Sequence, residues 1–128
     1  MLAASPGVFR SLTGLRAFPR VLHVGSYPPR ECGIATFTRD VKAALDARAG
    51  TRADIIAIGE SGDAHAYPMD VIGAIDRDAP DSYAAAACLI NAHGADIVSL
   101  QHEYGLFGGE RGAMALELLS RLTKPVTT

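Results

Sequence analysis

The chain has 128 residues, the size of one domain, and its 48% hydrophobic and 20% charged residues argue against disorder along the whole chain. Its formal net charge is −2 without a long run of either sign, which argues against a nucleic-acid-binding protein because such a protein needs a concentrated basic face. Cys32 and Cys88 lie far apart without a CxxC motif, so we expect a reducing compartment and no disulfide framework. No stretch of about 18 apolar residues occurs, and we expect a cytoplasmic protein, with peripheral membrane contact as an alternative.

Residues 1–19 differ from the rest of the chain, because they contain two arginines and no acidic residue. Proline, glycine and arginine interrupt what would be the apolar core of a secretory signal. We expect a poorly ordered leader here, and the alternative is a targeting segment or a surface helix. Residues 20–128 are then expected to form the folded domain.

Four apolar runs predict buried strands, at 20–27, 53–59, 69–75 and 95–101, and residues 124–128 have the pattern that opens a fifth. Helices are predicted at 34–48, 76–94 and 112–122. In the first helix, the spacing of four apolar residues predicts one packed face made of Phe37, Val41, Ala44 and Leu45. Continuous apolar strands separated by helices predict a parallel sheet in an α/β, Rossmann-like domain. Because the chain stops at the start of a strand, we expect a fragment of a longer protein.

The segment GSYPPRECGIATFT, residues 25–38, follows the first predicted strand. Gly33 at the start of a helix lets backbone N–H groups approach an anion, which the helix dipole favours. Arg30 adds a positive charge, and Thr36 and Thr38 add hydroxyl groups. Neither GxGxxG nor GxxxxGK[ST] is present, so a dinucleotide fingerprint and a P-loop are excluded. The segment predicts contact with phosphate or sugar, and the alternative is a plain strand–helix connection.

Polar side chains and glycines follow the fourth predicted strand in SLQHEYGLFGGERG, residues 99–112. They are Gln101, His102, Glu103, Tyr104, Gly108 and Gly109. A histidine beside a glutamate can donate to, accept from or orient hydroxyl groups, and the glycines let a substrate lie against the backbone. The alternative is a loop of mutually satisfied polar groups. The spacing does not fit a zinc site. Elsewhere, His23 is expected in the core, and His65 and His93 in solvent.

The segments HVGSYPPRECGIATFTRDV and DIVSLQHEYGLFGGERGAMALELLSRLTKPVTT closely resemble the N-terminal domain of family 4 glycosyltransferases. The resemblance covers roughly residues 20–128 and leaves the leader out. It implies a GT-B fold, in which two Rossmann-like domains face each other across a cleft. It also implies transfer of a sugar from a nucleotide-diphosphate donor to an acceptor hydroxyl, usually with retention of configuration and without a bound metal. The nucleotide-sugar is a substrate, so no cofactor is expected.

The resemblance also implies roles for residues of both loops. Cys32, Gly33 and Ile34 match the loop that approaches the donor phosphates, where Arg30 and Thr36 also lie. His102 matches the catalytic histidine that reaches the donor sugar or the reacting centre. The residues assigned to the acceptor side are Gln101, Glu103, Tyr104, Gly108 and Gly109. The family's paired donor-binding acids belong to a C-terminal domain that is not in this chain, so we expect this chain alone to be inactive.

A non-catalytic α/β module that binds a ligand or a partner is the alternative function, and an open sheet edge in such a module invites self-association. A flavodoxin-like or receiver-like domain fits the strand–helix order as well. A receiver, however, needs an acidic pair after its first strand and an aspartate after its third, and these loops lack that set.

Overall fold

The computed structural model describes residues 18–128, and its elements follow the predicted order. The strands are β1 (Val21–Gly25), β2 (Asp54–Gly59), β3 (Val71–Asp76), β4 (Ile97–Leu100) and β5 (Val126–Thr127). The helices are α1 (Gly33–Ala49), α2 (Pro80–Ala92) and α3 (Met114–Arg121), with a 3₁₀ turn at Glu110–Gly112 before α3. The expectation for the leader lies outside the described residues, except at Phe18 and Pro19.

The five strands form one parallel sheet in the order β3-β2-β1-β4-β5. The chain runs from β1 outward to β2 and β3, then crosses back through α2 to β4 on the other side of β1. The predicted α/β class with a Rossmann-like parallel sheet is therefore confirmed. The direction of strand addition reverses between β1 and β4, and ligands of open α/β sheets bind at the carboxyl ends of the strands at such a point.

The main hydrophobic core lies between one face of the sheet and the helices α2 and α3. Alternate residues of β1, Leu22 and Val24, point into it, as does Leu100 of β4. Ala115 and Leu118 of α3 also lie in this core, with Leu119 and Leu122 packed against it, as the apolar spacing of that helix predicts. Because these strands and helices share one core, the loops at the carboxyl ends of the strands extend from a rigid base.

Local signals set the ends of α1 and α2. The side chain of Cys32 accepts a hydrogen bond from the backbone N–H of Ala35 and so caps the start of α1. Gly50 ends α1 in the left-handed conformation, with φ of 71°, and its N–H donates to the carbonyl oxygen of Asp46. Pro80 opens α2, where its missing N–H costs nothing.

The face of α1 that packs on the sheet is not the predicted one. Phe37 and Leu45, expected on the packed face, are 53% and 40% exposed. The buried residues of α1 are instead Ala35, Thr38 and Lys42. The prediction was wrong because α1 turns its small and polar residues toward the sheet, where the ammonium group of Lys42 finds a carboxylate partner in Asp70.

A charged cluster also joins α1 to the residues that precede β3. Lys42 is 5% exposed, and its ammonium group pairs with Asp46 and lies 3.0 Å from a carboxylate oxygen of Asp70, which precedes β3. Arg52 reaches the same oxygen of Asp70 at 2.8 Å. A buried ammonium group is tolerated only when it is paired, so this cluster determines where α1 sits on the sheet.

His23 lies in β1 under this cluster and is fully buried, as expected for a core residue. Neither of its ring nitrogens has a hydrogen-bond partner among the described residues. Burial lowers the pKa of His23 below its ordinary value; Asp46 opposes this shift and Lys42 adds to it. His23 is therefore neutral at pH 7, and acid that protonates it works against the packing of α1.

Candidate functional site

The loops after β1 and β4 leave the sheet side by side at its carboxyl edge. Val24 of β1 is paired with Leu100 of β4, and the backbone N–H of Gln101 donates to the carbonyl oxygen of Val24 at 2.8 Å. The side chain of Gln101 is held in turn, because its amide nitrogen donates to the hydroxyl of Ser99 at 2.9 Å. Gln101 thus serves as the joint between the two loops through its backbone N–H. Its side-chain amide nitrogen is already hydrogen-bonded to Ser99 within the fold.

Gly25 is required at this joint because there is no room for a side chain. A β-carbon at Gly25 would lie 2.9 Å from the β-carbon of Gln101 and 3.1 Å from the hydroxyl oxygen of Thr38. The hydroxyl of Thr38 donates to the carbonyl oxygen of Ile34 at 2.8 Å. Thr38, considered from the sequence as a hydroxyl for a ligand, is fully buried and contributes to packing instead.

Cys32 lies at the start of α1, and its sulfur is hydrogen-bonded to two groups. The hydroxyl of Ser26 lies 3.1 Å from the sulfur, and the N–H of Ala35 donates to it at 3.4 Å. Burial acts to raise the pKa of Cys32, but the hydrogen bonds from Ser26 and Ala35 and the charge of Arg30 outweigh it, so the pKa lies below that of an ordinary thiol. Cys32 is thus a half-buried thiol of lowered pKa.

The first turn of α1 is open on its outer side. Gly33 and Thr36 are exposed, Ile34 is half-buried, and a β-carbon at Gly33 would meet no atom within 4 Å. A helix of this length carries partial positive charge at its start, which favours a negatively charged group there. Three of the residues assigned to donor phosphates from the sequence, Gly33, Ile34 and Thr36, thus lie together in one accessible helix turn.

Arg30 is directed toward the loop after β2. Its guanidinium donates to Glu60 at 3.3 Å and lies 4.0 Å from Asp63, and its side chain is 20% exposed. Asp63 also accepts from the backbone N–H of Glu60 at 2.9 Å. The charge of Arg30 is thus shared between two carboxylates, which reduces what it offers to an anion at the start of α1.

The loop after β4 exposes its polar residues and anchors itself by an apolar pair. His102, Glu103 and Tyr104 are exposed, whereas Leu106 and Phe107 are 6% and 1% exposed. The imidazole of His102 stacks on the ring of Phe107, with centroids 5.7 Å apart and planes 13° apart. His102 is therefore accessible from solvent at the carboxyl edge and rests on a side chain that belongs to the core.

Gly108 and Gly109 shape the turn from this loop into α3. Gly108 is buried, and a β-carbon there would overlap the carbonyl oxygen of Arg77 in the loop after β3. Its N–H donates to the hydroxyl of Tyr83 at 3.1 Å. Gly109 is exposed and has φ of 80°, a conformation that glycine adopts readily. The sequence predicted that the glycines of this loop let a substrate lie against the backbone. In the structure, the group that lies against the backbone of Gly108 is the carbonyl of Arg77.

Tyr83, Arg77 and Phe107 are neighbours of the site that sequence reasoning missed. Phe107 has a visible signal, since it is the one aromatic between the two glycine turns. Tyr83 lies in an alanine-rich helix where its large ring indicates only a core position. Arg77 contacts the β4 loop with its backbone carbonyl, which no side-chain pattern reveals.

A cavity lies at the opposite, amino edge of the sheet. It measures about 380 Å³ and is lined by residues that include Arg20, Arg52 and His93. His93, expected in solvent, is half-buried there. Its Nε2 lies 2.7 Å from a carboxylate oxygen of Asp54, and its Nδ1 accepts from the N–H of Ala95 at 3.0 Å. Both ring nitrogens are engaged, so His93 joins two parts of the fold and is not free for acid–base chemistry.

A second cavity of about 160 Å³ lies at the carboxyl edge, between the loop after β2 and β3, lined in part by Glu60, Asp63 and Asp76.

No helix among residues 18–128 is long and apolar enough to span a membrane. Over the same residues, no three histidine, cysteine or acidic side chains come together as metal ligands would.

Comparison of the chain with protein-family models, with curated proteins and with solved structures finds no match.

Proposed function

We propose that this chain is the acceptor-side part of a family 4 glycosyltransferase, which transfers a sugar from a nucleotide-diphosphate donor to an acceptor hydroxyl. The observation that carries the proposal is the joint between β1 and β4. It sets the open N-terminal turn of α1 and the exposed His102 on one edge of the sheet, at the point where ligands of such sheets bind. These are the two segments that carry the sequence resemblance.

The chemistry of the two loops suits the reaction. When a nucleoside diphosphate leaves, negative charge builds on its phosphate oxygens, and the partial positive charge at Gly33 and Ile34 stabilises it. His102 lies on the neighbouring loop and would hydrogen-bond to the reacting sugar, with Glu103 and Tyr104 beside it on the acceptor side. Holding both substrates in register supplies the entropic part of the rate acceleration.

The proposal requires a second domain for the nucleotide, with the acidic pair that the resemblance implies. The first test is the reading frame beyond Thr128, where a second Rossmann-like half with paired glutamates is expected. We expect the 128-residue chain alone not to hydrolyse or transfer from nucleotide-sugars, and the two-domain protein to do so. A two-domain protein that neither binds nor turns over any of a panel of nucleotide-sugars would contradict the proposal.

The role of His102 is tested in the two-domain protein by His102→Ala. Turnover should fall by about 100-fold or more, the range for loss of a hydrogen-bonding group at a reacting centre, with a smaller change in donor affinity. His65→Ala, the same change in the neighbouring β2 loop, is the matched control and should leave turnover near that of the wild type. Equal turnover of His102→Ala and the wild type would remove this assignment.

A non-catalytic module that binds a ligand or a partner is the second candidate. It is favoured by the way three of the assigned groups are engaged within the fold. Arg30 is paired with carboxylates, the amide of Gln101 donates to Ser99, and the N–H of Gly108 donates to Tyr83. Such a module would bind nucleotide or sugar ligands through the start of α1, and the two-domain protein would show binding by calorimetry without turnover.

A further inference from the structure

The hydroxyl of Tyr83 connects two loops at the carboxyl edge of the sheet. Tyr83 lies on α2 and is fully buried. Its hydroxyl donates to the carbonyl oxygen of Arg77 at 2.8 Å and accepts from the N–H of Gly108 at 3.1 Å. One hydroxyl group thus ties the loop after β3 to the loop after β4, and both of its partners are backbone groups.

The two loops also touch directly. A side chain at Gly108 would overlap the carbonyl oxygen of Arg77, so the backbones approach as closely as a glycine permits. The guanidinium of Arg77 lies 3.5 Å from the carbonyl oxygen of Phe107. Neither loop can shift along the other without breaking the bonds to Tyr83, which are shielded from water.

From Tyr83 the contacts continue to His102 through one aromatic ring. The rings of Tyr83 and Phe107 lie 6.5 Å apart between centroids, inclined at 41°. Phe107 is 1% exposed, and its outer face carries the imidazole of His102 in a near-parallel stack. His102 is thus an exposed loop residue whose imidazole rests on a ring that the core and Tyr83 hold in place.

We propose that Tyr83 and Phe107 are positioning residues that fix the imidazole of His102 for the transfer reaction. The inference rests on the proposed function in one respect, the role of His102 at the reacting sugar. Neither residue touches the substrate; Phe107 sets the plane of the imidazole, and Tyr83 sets the position of Phe107 by holding the next residue, Gly108. Small displacements of a reacting group lower rates steeply, so these buried groups control turnover from outside the site.

The positioning is tested first on the 128-residue chain, by NMR of the histidine ring protons. His102→Ala identifies the signals of His102. In the wild type, stacking on Phe107 should shift these signals upfield through the ring current. Phe107→Leu should abolish the upfield shift, and Tyr83→Phe, which removes only the hydroxyl, should reduce it. Tyr67→Phe, the same deletion at a half-buried tyrosine of the β2–β3 loop, is the control and should leave the signals in place.

The second test measures turnover in the two-domain protein. Tyr83→Phe should lower kcat by about tenfold with little change in KM for the donor, because ground-state binding at α1 is untouched while the geometry of the transition state is disturbed. Tyr67→Phe should leave both constants unchanged. A structural role alone would lower the amount of folded protein and leave the kcat of the folded fraction intact.

The results separate this inference from the proposed function. His102 signals that coincide in the wild type, Tyr83→Phe and Phe107→Leu would overturn the positioning. Should Phe107→Leu fail to fold, Tyr83→Phe alone decides, since it keeps the ring and its packing. A wild-type two-domain protein without turnover would overturn the proposed function and the catalytic role of the stacking of His102 on Phe107. The NMR result would still decide whether Tyr83 and Phe107 hold the imidazole of His102 in place.

Discussion

A β-carbon on Gly25 would lie 2.9 Å from the β-carbon of Gln101, closer than real β-carbon contacts come. This glycine ends β1, and Gln101 is the first residue after β4, so the pair determines how closely the two loops of the candidate site approach. The hydrogen bond from Gln101 to Val24 depends on that approach. We expect the separation between the loops to be set by the absence of a side chain at Gly25.

Gly25→Ala should therefore lower the free energy of unfolding by about 1–3 kcal/mol, the cost of overpacking a tight site. Gly33→Ala is the matched control, since nothing lies within 4 Å of its β-carbon position and alanine suits the first turn of a helix. It should be neutral or slightly stabilising. Urea unfolding of the three proteins measures the difference, and equal loss in both variants would contradict the tight joint.

The same Gly33→Ala variant tests the start of α1 as a phosphate site. If donor phosphates bind there, as the proposed function requires, a methyl group on residue 33 would crowd them without disturbing the fold, and the two-domain protein of that proposal should bind its donor more weakly. We expect KM for the nucleotide-sugar to rise at least several-fold, with stability unchanged. An unchanged KM would place the donor phosphates elsewhere.

Lys42→Met tests the charged cluster beneath α1. This substitution leaves the carboxylates of Asp46 and Asp70 without their buried partner, so the free energy of unfolding should fall by about 3 kcal/mol. This value is at the lower end of the range for breaking a buried ion pair, because Arg52 still reaches Asp70. Arg39→Met removes an exposed pair with Asp40 and should cost less than about 0.5 kcal/mol. Chemical unfolding at low salt compares the two variants, and similar losses would show that the cluster does not anchor the helix.

His23 makes stability depend on mildly acidic pH. Because burial lowers its pKa from the ordinary 6.5, the unfolded chain binds the proton more readily than the folded one, so stability is complete above about pH 6.5 and falls as the pH drops toward the folded pKa. His23→Leu should flatten this dependence and raise the free energy of unfolding at pH 7 by roughly 1 kcal/mol, since the ring nitrogens have no partner among the described residues. Thermal unfolding between pH 5 and 8 measures both effects, and an unchanged slope would assign the acid sensitivity to another group.

Acid below this window acts through a different group. Burial acts to raise the pKa of Asp70, but hydrogen bonds from Arg52 and Lys42 outweigh it and lower the pKa from 3.8. The stability that Asp70 contributes is thus present above about pH 3.8 and is lost as the pH falls through its folded value. The loss that depends on His23 begins below about pH 6.5 and the loss that depends on Asp70 begins only below about pH 3.8, so the effect of His23→Leu should appear first as the pH falls.

Cys32 should be alkylated at lower pH than a free thiol. In a chain with Cys88→Ser, the pH dependence of the reaction with iodoacetamide should have its midpoint below the ordinary thiol value, since the thiolate is the reacting species. Ser26→Ala removes one of the donors to the sulfur and should move the midpoint upward. A midpoint at the ordinary value in both proteins would show that the cap does not stabilise the thiolate.

Local patterns were enough to predict the strands, the helices and their order. Short runs of apolar residues bounded by turn signals favour strands buried on both faces, and residues such as Gly50 and Pro80 end or begin a helix within a few positions of themselves. Strands joined through a helix are expected to run in the same direction, and β2 and β3 also run parallel although no helix lies between them. The meeting of the two loops at one edge could be expected from that topology as well.

The sequence by itself thus determined the α/β class and the segments from which the candidate site is built, since these depend on short-range periodicity and on the chirality of strand–helix–strand units. Only the tertiary structure decided which face of α1 is buried and which groups hold His102. The polar stripe of α1 is the buried one because Lys42 on that stripe forms an ion pair with Asp70, which precedes β3. The bond from Gly108 to Tyr83 spans 25 positions and joins a backbone amide to a side chain, a contact that no local pattern contains.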